Sequence, residues 1–580
     1  MMMGLYLFSS RCPKSVLEVL SQAGLCVSHP SIVASLERLT EDGVAEVMKA
    51  VRNHPWFLLF DNINIYFKKS DQRSDDPAKI ENATSISIVA VNADEMLKPA
   101  MNPHITPTVR AFLPNAANLK HFEAVSQFYL IDSLNDLCGG FKASVFAIHP
   151  INPLELGVTK AFPLPLLPID QSSIEGNLHI IETVMKDILK LPSHWFDDKD
   201  IIVAGDQLTV SRVKSVMELR KPDLTRFDRM EWAVPMFQLF HLQMILCKTI
   251  VATHMGESDK PGSLGFSIAR LGRKRVDIEK AEYHASHEIV KHTFHAMVRR
   301  LWEVELKQRP DAFVHGLKAD EEMDVISKRA KDIYQRYFTD SEKVASDYGN
   351  TDANAALFLR DTTVYLELCA AIKAGDIGRI EEVLKLITVM FQAGGTKNYA
   401  GELMRLAYAI HHVWSKRTKE TMLSSWLVNI KGARNSWHPA DLYQEHNNKL
   451  IKNCVRKGNI SLKTLSNLFS TNIRMFETIK DQFKEQYDTT YNSSYHSIVC
   501  SERDIGKILR GLETHGVFSR EKNDSYVEPS VDLVKVGMHN LVSKRFELFI
   551  QNLKEESEIE NDPVDIDDFA SDFQDSEIDE

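Results

Sequence analysis

Residues 56–68 read WFLLFDNINIYFK, and the class of the protein turns on that run. Aromatic and β-branched side chains dominate it, which favours a pleated, half-buried strand over a helix. Asp61 breaks the apolar sequence midway, an ionisable group inside a predicted strand. Two runs downstream, SISIVAV (85–91) and ASVFAIH (143–149), have the same character. Between them, 98–136 carries Pro99, Pro103, Pro107 and Pro114 and is expected to be irregular. Residues 173–191 have helical periodicity, and DIIVA (200–204) is a short buried strand.

Strand, strand, strand, helix, strand across 56–205 is the order of the ribonuclease-H-like fold. There the first and fourth strands are neighbours, and each brings an Asp to one edge of the sheet. This sequence puts Asp61 within the first strand and Asp206 just past the fourth, in IIVAGDQLT. Two carboxylates that close repel and favour a divalent cation between them. Mg²⁺ or Mn²⁺ with oxygen ligands suits such a pair, and the chemistry it serves is in-line displacement at a phosphodiester. A third acid from a later helix completes such a set. Glu402, in NYAGEL near a helix start, is the expected third catalytic and metal-binding residue. Asp376, in AGDIG at a helix N-terminus, is a reserve metal ligand that also reads as a plain cap. Bland readings stand beside these: Asp61-Asn62 as a turn, and Asp206 as the cap of the helix that follows. Asp441 and Glu445, four apart on one helix face, read as part of a buried polar network or as a further acidic contribution to the site.

Outward from the sheet the pattern is helical. Residues 1–50 form an N-terminal helical region. In it the Ala23-Gly24 turn between two helices allows a DNA-reading helix-turn-helix or a simple hairpin. From Asp206 to about Lys416 the chain is expected to be almost entirely helical. The predicted layout is a sheet-containing part over 51–210, a helical insertion over 211–374 and core-completing helices over 375–455. A C-terminal helical region over 456–554 and a disordered acidic tail over 555–580 follow. The class is α+β but mostly α: a mixed ribonuclease-H-like sheet with a large helical insertion and helical flanks. The most apolar run, 232–251, contains Pro235, Gln238, His241, Gln243 and Lys248, so it reads as a buried core helix and not a membrane span.

The signature segments resemble an uncharacterised fungal, transposon-associated family. They are FDNIN (60–64), the GDQLT motif within 200–216, KNYAGEL (397–403) and LVNIKGARNSWHPADLYQEHNNKLIK (427–452). Together they span 56 to about 455. The resemblance implies a captured or decaying transposase, with a long helical insertion between its second and third acids. The chain begins close to the matched region, which puts autonomous transposition in doubt. The resulting reading is a metal-dependent DNA strand-cleaving or strand-joining fold, active or retained as a non-catalytic nuclear DNA- or protein-binding scaffold.

The net charge of −11 is a property of the tail: residues 555–580 hold thirteen acids and no base, against 69 basic and 67 acidic residues elsewhere. A nearly neutral body still accommodates a local basic face. Arg270, Arg273, Lys274 and Arg275 form a compact cluster expected to bind the backbone of duplex DNA. The tail is expected to dock on a basic surface or simply to solubilise, and self-association is left open. His284, His287, His292 and His295 share a broad helical face, which is either a zinc-binding row or a packed surface. Seven scattered cysteines read as reduced thiols. With no basic leader at the N-terminus, the expectation is a nuclear, otherwise cytoplasmic, protein that is not secreted and engages no membrane. No Gly-x-Ser-x-Gly elbow and no Gly-x-x-x-x-Gly-Lys loop is present, which removes support for serine hydrolysis and ATP-driven chemistry.

Overall fold

Five strands form one mixed sheet: β1 (Trp56–Phe67), β2 (Lys79–Ala90), β3 (Ala161–Pro163), β4 (Ile201–Gly205) and β5 (Ala233–Phe237). Their spatial order is β3-β2-β1-β4-β5. β2 pairs antiparallel with β1 and β3, while β4 runs parallel to both β1 and β5. The burial of β1 explains its central place. Phe57 and Leu59 enter one core and Leu58 and Phe60 the other, so its first half is covered on both faces. Beyond Phe60 the cover thins, and Asp61 and Asn62 are half-buried. The computed structural model describes the chain apart from residues 68–78, 92, 94, 99–105, 139–146, 274–281, 309, 318–321, 456–459, 488–500, 522–526 and 559–580.

Helices surround this sheet. At the N-terminus α1 (Met2–Ser9), α2 (Lys14–Gln22) and α3 (His29–Asn53) precede β1. α4 (Ala116–Cys138) and α5 (Ile174–Glu182) fall between β2 and β4, and α6 (Gln207–Leu219) joins β4 to β5. A long helical passage follows β5. It contains α7 (Leu239–His254), α8 (Leu264–Leu271), α9 (Tyr283–Leu306), α10 (Pro310–His315), α11 (Glu322–Tyr337), α12 (Ser341–Tyr348) and α13 (Asn350–Ala374). It continues with α14 (Ile377–Ala393), α15 (Lys397–Tyr408) and α16 (Lys416–Ser424). The chain then returns through the small hairpin β6 (Leu427–Val428) and β7 (His438–Pro439) to α17 (Ala440–Val455), which packs on β1. α18 (Leu462–Thr464), α19 (Ile473–Gln486), α20 (Ser501–Thr514), α21 (Leu533–Asn540) and α22 (Phe546–Glu558) complete the described chain.

The class is α+β and mostly helical, as expected. Several local expectations change. The third strand is Ala161–Pro163; of the predicted 143–149 run, residues 143–146 lie outside the described residues and 147–149 have no regular structure. The proline-marked stretch 98–136 contains α4, because its prolines end at Pro114 and the helix begins at Ala116. The apolar run 232–251 is a strand and then a helix. Pro235 is accommodated because β5 lies at the edge of the sheet. α2 and α3 pack with α1 and α19 around their own apolar cluster. The exposed side of α3 shows Glu37, Glu41, Asp42 and Glu46 beside Arg38, Lys49 and Arg52, a face of mixed charge. α22 extends to Glu558, and the rest of the acidic tail, 559–580, lies outside the described residues. Among the described residues, no helix is long and apolar enough to cross a membrane.

Candidate functional site

The register of the sheet sets two carboxylates side by side. Leu59 of β1 is level with Ala204 of the parallel neighbour β4. Asp61 and Asp206 each stand two positions further on. Neighbouring strands are ~4.8 Å apart, and a two-residue step keeps a side chain on the same face. That face is shared with Phe57, Leu59, Ile202 and Ala204 and belongs to the core beneath the helical passage. The charges of Glu445 and Asp206 both act on Asp61, which places the three acids in one neighbourhood.

The GDQLT segment makes the sharp exit that Asp206 needs. A side chain at Gly205 would meet Thr209 Cγ2 at 2.7 Å, so only glycine allows this approach. Asp206 caps α6, accepting the Thr209 N–H at 2.7 Å. The cap reading is therefore correct, and the same residue still faces Asp61. Tyr399, from the KNYAGEL segment on α15, is buried; its hydroxyl oxygen accepts the backbone N–H of Gln207, and the Asp206 charge acts on it. Burial and the nearby carboxylates push that phenol well above its ordinary range, so it stays protonated.

α17 supplies the third acid and the scaffold around it. Gln444 and Asn448, four apart, face β2 and β1. Ser87 Oγ donates to Gln444 Oε1 (2.7 Å), and Gln444 Nε2 donates to Ser85 Oγ (2.9 Å). Ser85 Oγ donates in turn to Asn448 Oδ1 (2.5 Å), and Asn448 Nδ2 donates to Asp61 Oδ2 (2.8 Å). The chain of bonds fixes the height of α17 over β1 and holds one oxygen of Asp61. Glu445 lies between these two anchors, and its carboxyl hydrogen-bonds that of Asp61. Burial and then the charges of Glu445 and Asp206 raise Asp61 well above the carboxylate range. Burial also raises Glu445, against the opposing charge of His241. Both shifts favour a proton kept on the pair.

Asp441, one turn before Glu445, is occupied differently. Its two oxygens accept the backbone N–H groups of Phe240 (3.0 Å) and His241 (3.1 Å), capping α7, whose own N-cap residue Gln238 makes no side-chain cap bond. It also meets His241 Nδ1 at 3.0 Å. Burial opposes a charge on His241, but the hydrogen bond and charge of Asp441, with the charges of Asp206 and Glu445, push the imidazole up to about 10. A cation thus stands among the acids at neutral pH.

The remaining predicted residues are placed elsewhere. Glu402 Oε2 accepts Lys214 Nζ at 2.6 Å, with Arg405 at 3.5 Å. Lys214 is eight residues along from Asp206, ~12 Å at helical rise, so Glu402 is turned toward the body of α6. Asp376 is buried as the cap of α14 and also accepts the N–H groups of Ile151 (2.8 Å) and Asn152 (2.9 Å). Of the basic cluster, Arg273 is held by Glu288 (2.6 Å) and Asp504 (2.7 Å), while Arg270 packs over the Phe266 ring. Lys274 and Arg275 lie outside the described residues. In the histidine row, His287 Nδ1 meets Tyr365 Oη at 2.7 Å, and burial depresses both His287 and His295 to about 4. Among the described residues no three His, Cys, Asp or Glu side chains converge as a ready-made metal-holding group, the acids above included. Gln444 and Asn448 lie in the polar block 437–448, read from sequence as a buried network that fixes its helix, while the site roles of His241 and Ser85 were not read. A polar residue on an apolar helix or strand signals them only once the partner element is known.

A family model described as "Family of unknown function (DUF6589)" matches residues 103–496, and the chain belongs to that family. No curated protein and no solved structure matches it.

Proposed function

We propose that this member of DUF6589 has a ribonuclease-H-like, transposase-derived core whose acidic site is Asp61, Asp206 and Glu445, and that it cleaves or joins DNA strands with a divalent cation. The observation that carries the reading is the return of α17 to β1 after the helical passage. It brings Glu445 against Asp61, beside the parallel neighbour β4, which Asp206 directly follows. The strand order and the parallel β1–β4 pairing support the same reading. So does the long helical passage between the second and third acids, which the transposon-associated resemblance leads one to expect.

The donor set suits Mg²⁺ or Mn²⁺: three carboxylates, hard oxygen ligands, with a shared proton where a cation's charge would otherwise lie. Such a cation would supply Lewis-acid stabilisation of charge at phosphorus. In the cleavage step a water oxygen bonds to phosphorus as one P–O ester bond breaks; the water loses its proton and the departing oxygen gains one. The chain's own residues prepare this. Asn448 holds Asp61, the Thr209 N–H holds one oxygen of Asp206, and Asp441 keeps His241 charged among the acids.

A second reading, a retained but inactive scaffold, is favoured by one observation. His241 and the shared Asp61–Glu445 proton already offset part of the acid charge. Nicking of supercoiled DNA in Mn²⁺ separates the two. The catalytic reading expects nicking by the wild type and by Glu402→Gln, and a loss of a hundredfold or more in Asp206→Asn and Glu445→Gln. Equal traces in all four proteins reject it.

A further inference from the structure

Resting on that reading, we infer that the outer face of α17, with the β6–β7 turn, the end of α13 and Arg474 of α19, is the track on which a DNA backbone enters the carboxylate site. On α17, Glu445, Lys449 and Lys452 fall at i, i+4 and i+7, one stripe running away from the site. At helical rise the two lysines stand ~6 and ~10 Å along the axis from Glu445. Lys431 and Arg434 are exposed in the loop between β6 and β7, in which Gly432 (φ 64°) and Asn435 (φ 56°) are left-handed. That hairpin packs on both α17 and α13, and Lys373 lies in the last turn of α13. Arg474 lies with its guanidinium 4.5 Å from the Tyr443 ring and is paired with Glu477 at 2.8 Å.

These groups feel one another. Burial and then the charges of Lys431, Lys373 and Arg474 depress His438. Lys373, Lys431 and Lys449 are exposed and, among the described residues, have no ion pair. The arginines around the 270–273 segment differ: Arg273 is held by Glu288 and Asp504, and Arg299 is held by Glu502. Three exposed lysines without an ion pair among the described residues, gathered on one face beside Arg474, call for a polyanion. Their abutment on acids suited to phosphodiester chemistry selects nucleic acid over an acidic protein.

The test is fluorescence anisotropy of a labelled duplex with the full chain, the double variant Lys431→Glu/Lys449→Glu, and a control, Lys49→Glu/Lys307→Glu, of equal charge change. The track predicts affinity at least tenfold weaker in the first variant, with the salt slope reduced by about 2, and a control within twofold of the wild type. Equal affinity and slope in all three proteins overturn the track, as does displacement of the duplex by polyglutamate at equal charge concentration. Mn²⁺ nicking run on the same proteins keeps the two ideas apart. Nicking by the wild type with undiminished binding by the double variant leaves the acid site standing and removes the track. Lost binding without wild-type nicking does the reverse.

Discussion

Asp61 sits where β1 passes out of a two-sided core, and its chemistry follows from that place. Its backbone belongs to the ladder, its carboxyl is held by Asn448 and Glu445, and burial combined with two like charges keeps a proton on the pair. The sign of the resulting pH dependence is fixed. Both carboxyls are raised, so at lower pH a cation must displace a proton to bind, and above the pair's titration it need not. Mn²⁺ affinity should therefore rise with pH, by up to about tenfold per unit while one proton is displaced. His241, charged until about 10, does not contribute below that range. Calorimetric titration at several pH values between neutrality and pH 9 checks this; affinity that is flat or falls with pH contradicts it. Asp61 and Asp206 were legible because a lone acid inside or just after an apolar strand is a local pattern. Glu445 was legible only as one of two acids on a polar helix. Nothing local separates it from Glu402, and the Lys214 partner that occupies Glu402 lies 188 residues away in sequence.

At the scale of elements, the signature segments act as joints. GDQLT turns β4 into α6 with glycine at the point of closest approach, and KNYAGEL lays Tyr399 against that turn. The segment 427–452 is a hairpin leading into the helix that closes on β1. Gly205→Ala should cost about 1–3 kcal/mol, since the added methyl must displace Thr209 in a packed turn. Equilibrium urea unfolding measures it, and a variant as stable as the wild type would show that the turn yields freely. Most of the elements were readable from periodicity. The exceptions have physical causes. α4 was hidden by the prolines that precede it, and β5 by a proline that only an edge strand tolerates. β3 has three residues and is held by the antiparallel ladder to β2, with too little pattern of its own to be seen.

Across the whole molecule, one apolar cluster runs from Phe57, Leu59 and Ile202 of the sheet through α7, α9, α13 and α14. The helical passage is therefore packed on the sheet and not appended to it, and it determines where the chain re-enters at α17. Asp441 ties that re-entry to the first helix of the passage by capping α7, so beginning and end of the excursion meet at the acids. The central claim is that this return, and not the earlier Glu402, completes the site begun by Asp61 and Asp206. Direct Mn²⁺ binding by the full chain, followed by electron paramagnetic resonance of the free ion, tests it without requiring turnover. The account predicts saturable binding by the wild type and Glu402→Gln, weakened tenfold or more in Asp61→Asn and Glu445→Gln. Binding that survives Glu445→Gln and is lost in Glu402→Gln would contradict it.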